Sequence, residues 1–181
     1  MENCSEPIDI IELDIKRIAR QNLFWTIFLM ISFLLVNGFI HGEFAFHISI
    51  FNFFLFFILY IGLIVIHEIC HLIGFLLFGR VPISSLKYGV NLKMGVAYAT
   101  TTRYLHNRAM KKSLLLPFWI TGVIPAMIGF ILNNNLWLIL GAWLIAGAVG
   151  DFAMYKKLRK FPKNYFIRDD PKLPKLYIYK N

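Results

Sequence analysis

Residues 55–78 read LFFILYIGLIVIHEICHLIGFLLF, and the fold turns on that stretch. Twelve uncharged residues lead into His67-Glu68-Ile69-Cys70-His71, and seven more follow to Phe78. The apolar run begins further back, near Ile48. A bilayer-crossing helix needs about 20 apolar residues, so this one is long for a single crossing and is expected to tilt or to project beyond the lipid. Three ionisable side chains within five positions of such a helix are costly unless they face a cavity, pair or bind something.

Three further apolar stretches flank it: about Leu23 to Ile40, about Leu114 to Leu132 with Pro117 and Pro125 inside, and about Leu136 to Tyr155. With 58% hydrophobic and 17% aromatic residues in 181, a water-soluble domain has too little interior for its apolar surface, so lipid must serve as part of the solvent. The 19 basic residues fall before the first span, between spans two and three, and after span four; the loops His41–His47 and Asn133–Asn135 carry none. By the positive-inside rule, both termini are expected in the cytoplasm, in a multi-pass protein of the cell membrane. The net charge of +9 is accounted for by topology and anionic headgroups, and no nucleic acid is implied. Cys4 and Cys70 are too far apart in context to suggest a disulfide scaffold. The charged N-terminus lacks a signal peptide's cleavage pattern, so the first span is expected to stay as an anchor.

The expected fold is therefore an all-α integral membrane protein of four transmembrane helices. Residues 1–22 read as a cytoplasmic amphipathic helix, capped by Ser5 and striped by Ile8, Ile11, Ile15 and Ile18. Residues 23–155 form the membrane domain, and 156–181 a basic cytoplasmic tail. Between spans two and three, Lys87–Lys93 and Val96–Thr102 are β-prone around Met94-Gly95, which predicts a short cytoplasmic hairpin. It is either a simple connector or an edge offered to an extended peptide, with Asn91 and Thr100 as candidate substrate contacts. Pro117 and Pro125 are expected to bend span three.

His67, Glu68 and His71 make the H-E-x-x-H pattern. Residues i and i+4 share a helix face, so the two histidines can hold one metal ion, and Glu68 can act as general base on a metal-activated water. Five His and five Glu in the chain make a chance match about four in a thousand. A third protein ligand is needed. Leu77 stands where one zincin class places a third His, and no Glu follows Glu68. Of the later carboxylates, Asp169 and Asp170 look like solvated charges in the basic tail, which leaves Asp151 at the end of span four. Small residues Ala146, Gly147, Ala148 and Gly150 would let helices approach there. The alternative for Asp151 is an ion pair with Lys156 and Lys157. His41, Glu43 and His47 fall on the opposite side of the membrane, His106 reads as a loop residue, and Cys70 is off the ligand face.

The H-E-x-x-H helix, a hairpin, a Pro-containing span and the closing Gly150-Asp151 together resemble a family of small bacterial membrane proteins known as zincin peptidases. The ending Arg168-Asp169-Asp170-Pro171, then Leu176-Tyr177, also fits. More distantly the arrangement is similar to site-2 intramembrane metalloproteases. The resemblance implies one zinc ion per chain on His67, His71 and Asp151, with Glu68 as catalytic base, acting on membrane-anchored or membrane-adjacent peptides. Two other functions fit parts of the pattern: a non-catalytic scaffold pinned by zinc, and a divalent-metal transporter. The second lacks a polar path through spans one and three.

Overall fold

The computed structural model describes residues 6–44, 49–91, 96–170 and 173–180, without the side chain of Val96. Cys4, the Ser5 cap, His47 and the Met94-Gly95 turn lie outside the described residues. Four helices are long and apolar enough to cross a membrane: Ile15–His41, Ile50–Gly79, Asn107–Ile131 and Asn135–Leu158. The second has none of its most apolar window buried within the protein, and Phe51, Phe54, Ile58 and Ile61 are exposed. Apolar surface on that scale is not left facing water, and the chain is a multi-pass membrane protein.

The chain divides into two compact units. One comprises Ile15–His67 and Pro117–Val149. It contains α1 (Ile15–His41), the first part of α2 (Ile50–Gly79), a π-helical turn (Phe118–Val123), α4 (Ile124–Ile131) and α5 (Asn135–Gly147). Helix α5 is its buried centre, with Leu138, Leu140, Ala142, Leu144 and Ala146 enclosed. Small residues bring α4 and α5 together: a Cβ on Gly141 would lie 2.6 Å from the Ala126 nitrogen, and one on Gly129 2.6 Å from the Leu138 nitrogen. Close backbone approach of this kind is how helices associate where lipid removes the hydrophobic driving force. The expectation placed that role on Ala146–Gly150. Of those residues Ala146 and Ala148 are fully buried, while at Gly147 a Cβ would meet nothing within 4 Å.

The other unit comprises Met1–Asp14, Glu68–Leu116 and Gly150–Asn181. Here the sheet content exceeds the single hairpin expected. Strands β1 (Asp9–Glu12), β4 (Leu105–His106), β5 (Phe166–Asp169) and β6 (Lys175–Tyr179) form an antiparallel sheet in the order β1-β6-β5-β4. The expected hairpin is present as β2 (Leu86–Asn91) with β3 (Val96–Thr101), pairing Leu86 with Thr101 and Asn91 with Val96. The end of α2, α3 (Asn107–Pro117) and α6 (Val149–Leu158) complete the unit. Its core gathers Phe75, Leu105, Met110, Leu158, Ile167, Leu176 and Ile178. Asn107, fully buried, donates from Nδ2 to the carbonyls of Leu158, Phe161 and Pro162, closing the end of α6.

Two sequence expectations are corrected in this unit. Residues 9–12 form a strand, not part of a surface helix, and the helix starts only at Ile15 and runs into the first span. The reason is tertiary: Ile11 pairs with Leu176 and enters the core, while Ile8, Ile10 and Ile15 stay exposed, so the isoleucines share no helical face. The basic tail is likewise folded. Asp170 accepts from the Leu173 nitrogen and the Tyr177 hydroxyl and so shapes the β5–β6 connection. Asp169 is partly buried.

Helix α2 ends without the usual C-terminal glycine at its left-handed residue. Arg80 takes φ 51° there, and at Gly79, one position earlier, Leu105 occupies the space a Cβ would need.

Candidate metal centre

Helix α2 runs unbroken from Ile50 to Gly79, so His67 and His71 lie one turn apart on one face. Asp151 lies in the first turn of α6, three residues after a single-residue turn at Ala148, within the Asn135–Leu158 span. The metal-binding atoms of His67, His71 and Asp151 all lie within 4.8 Å of one another. His71 is 7% exposed and its Nε2 stands 3.5 Å from Asp151 Oδ1.

The partners on the far side of each imidazole define the electronics. His71 Nδ1 is 3.1 Å from the Ser113 carbonyl oxygen. A carbonyl only accepts, so Nδ1 carries a proton and donates it. In the neutral ring Nε2 is then an unprotonated lone pair facing a carboxylate oxygen. Two such acceptors at this separation require a cation between them, either a metal ion or a proton on Nε2. A His, His and carboxylate set, with His71 buried, His67 and Asp151 half-buried and both imidazoles held by outer hydrogen bonds, suits zinc, and the residues fit that ion.

His67 is oriented in the same way, through the same ring nitrogen. Its Nδ1 is 3.2 Å from the Thr121 hydroxyl, which itself donates to the Pro117 carbonyl at 2.9 Å. Thr121 sits in the π-helical turn that follows Pro117, where the Ile124 N–H reaches back five residues to the Trp119 carbonyl. The expected bend in the third span thus takes the form of a widened turn, a device that re-aims side chains within a helix. Gly74 serves His71 comparably. A Cβ there would lie 2.8 Å from both Cα and Cβ of Ser113, so only glycine lets α3 approach closely enough for its carbonyl to reach His71.

Glu68 follows His67 on α2 and is half-buried. A second carboxyl acts on its surroundings. Asp169, at the end of β5, has its pKa pushed up to about 7, first by burial, with the negative charges of Asp170 and Glu68 adding to the rise. The Thr100 hydroxyl is buried with no short hydrogen bond, and its weak bond to Asp169 works in the opposite direction. Asp169 is therefore a semi-enclosed neighbour of Glu68 and not the solvated surface charge expected from its basic surroundings.

Of the remaining candidates, Thr100 is 3% exposed and turned inward against Asp169, so its side chain is not presented to a substrate. Asn91 lies at the far end of β2, half-buried. His106 stacks on Phe166, with Nδ1 near the Asn164 carbonyl, and takes no part in the ligand group. His41 Nε2 donates to the Phe130 carbonyl, and Cys70 is packed in the interior. Sequence reading missed Ser113, Thr121, Gly74 and Asp169. Ser113 contributes only a carbonyl and has no side-chain signature. Gly74, one turn beyond His71, and Thr121, four residues after Pro117, carried a spacing signal.

A family model described as "Putative zincin peptidase" matches residues 60–166, a range that holds all four of His67, Glu68, His71 and Asp151. No curated protein and no solved structure matches the chain.

Proposed function

The chain belongs to the zincin peptidase family whose model covers residues 60–166, and from that membership we propose a zinc-dependent membrane peptidase with Glu68 as its general base. The observation that carries the reading is the lone-pair confrontation of His71 Nε2 and Asp151 Oδ1 at 3.5 Å, with His67 one helical turn away. A zinc ion on these three ligands supplies a Lewis acid that polarises the scissile carbonyl and makes water a nucleophile near neutral pH.

The chain's own residues do the rest. Ser113 and Thr121 fix the two imidazoles, so the ligand geometry is set before substrate arrives. Glu68 takes the proton from the attacking water and returns it to the leaving amine. Asp169, protonated in part near neutral pH, keeps a second full negative charge from standing beside Glu68. Substrates are membrane-anchored or membrane-adjacent peptides at the cytoplasmic face, the bilayer being the other partner. An extended substrate segment can add to an open edge of the β2–β3 hairpin through main-chain hydrogen bonds, with Asn91 at one end. The distribution of Lys and Arg supports a cell-membrane location with both termini in the cytoplasm.

The deciding experiment compares metal content and peptide cleavage in detergent-purified wild type, Asp151→Ala and Glu68→Gln. The reading expects one zinc per wild-type chain, its loss in Asp151→Ala, and zinc retained without cleavage in Glu68→Gln. Metal-free wild type after mild purification would reject it. Full function of Glu68→Gln in vivo would instead identify a zinc-pinned scaffold.

A further inference from the structure

The unit built from Ile15–His67 and Pro117–Val149 contains a cavity of about 670 Å³ that plays no part in the metal chemistry. Its walls are apolar and aromatic, with Phe53, Phe56, Phe57 and Ile139 among them, and its rim is a ring of amides completed by the Glu43 carboxylate. Asn37 is 3% exposed, and its Nδ2 donates to Asn133 Oδ1 at 2.6 Å, which fixes two of those amides to one another.

The size and charge of the cavity select that occupant. A membrane helix about 10–12 Å across, crossing one leaflet of about 15 Å, would need about 1,200–1,700 Å³, roughly twice the space present. A small amphiphile is in range, since ligand cavities run to about 300–1,000 Å³. From the rim at Asn135 to Trp143 is eight residues of α5, about 12 Å of depth for an apolar chain. The polar end offers the Glu43 carboxylate, with Phe44 also in the lining and no Lys or Arg among the described lining residues. That end suits an ammonium group, which carries N–H donors and can pack on aromatic faces. An anionic head would meet a like charge there.

We propose that this cavity is a binding site for one chain of an ethanolamine-headed phospholipid taken from the surrounding bilayer, its ammonium at the Glu43 carboxylate and its acyl chain running along α5 toward Trp143. The source is the bilayer because the cavity is walled by α1 and α2, whose outer faces are the most lipid-exposed surfaces of the unit.

The test is native mass spectrometry of the full chain equilibrated in detergent with equimolar phosphatidylethanolamine, phosphatidylglycerol and phosphatidylcholine. One retained phosphatidylethanolamine per chain is expected, preferred roughly threefold over phosphatidylglycerol, the scale of an accessible ion pair. Ile139→Trp fills the chain-binding wall and should abolish the adduct; if that variant does not fold, Leu35→Trp on the opposite wall serves in its place. Glu43→Gln should keep a lipid but lose the headgroup preference. Retention of phosphatidylglycerol in preference, an adduct untouched by the filled wall, or detergent alone in the wild type would each overturn the proposal.

Discussion

Replacing Asp169 by Asn should reverse a pH-dependent loss of stability. Burial and the charges of Asp170 and Glu68 raise the Asp169 pKa from 3.8 to about 7. An acid whose folded pKa is raised binds more protons folded than unfolded, so stability falls as pH rises between the two values and levels off above the folded one. Roughly three units at 1.36 kcal/mol each set a ceiling of about 4 kcal/mol, of which about 2.5 kcal/mol falls between pH 5 and pH 8. Asn keeps the shape, and its carbonyl can still accept from Thr100, but it cannot ionise. Thermal unfolding of detergent-solubilised wild type and Asp169→Asn should be followed from pH 5 to pH 8. Relative to wild type, the variant should gain about 5–10 °C across that range, taking 2–4 °C per kcal/mol for a chain of this size. Parallel curves for the two proteins would refute the reasoning, since they would mean that Asp169 ionises as freely in the folded state as in the unfolded one.

Three further substitutions probe the scaffold of the metal centre and the helix packing. Gly74→Ala places a Cβ 2.8 Å from Ser113 Cα, pushing α3 off and costing His71 its Nδ1 acceptor. Zinc affinity, measured by competition with a chelator, should drop about 10–100-fold. Thr121→Val keeps the volume but removes the hydroxyl beside His67 Nδ1, and should weaken zinc about 10-fold with little change in melting temperature. Gly141→Ala puts a methyl 2.6 Å from the Ala126 nitrogen, so α4 and α5 must separate; a loss of about 1–3 kcal/mol in detergent unfolding is expected, with zinc affinity unchanged.

Sequence alone pointed to the helical membrane architecture and to His67 and His71 as one candidate ligand pair, because both are local matters. Twenty apolar residues in a row make a membrane helix whatever else the chain does, and His67 and His71 share a face by helical period alone. Elimination among the carboxylates also singled out Asp151, which stands 3.5 Å from His71 in the structure. What the tertiary structure decided is everything that depends on distant segments meeting. Residues 9–12, with Ile11 from the expected helix stripe, form a strand because β6 offers an edge. Asp169 and Asp170, in a basic tail, are drawn inward because β5 and β6 pair there and bury one carboxyl near Thr100. The hydrogen bonds that orient the two histidines come from a backbone carbonyl and from a hydroxyl in a π-helical turn. Neither can be read from residue type, since a carbonyl is common to every residue and the widened turn exists only through packing. The candidate metal ligands are written in the order of the chain, and their orientation in the contacts between helices.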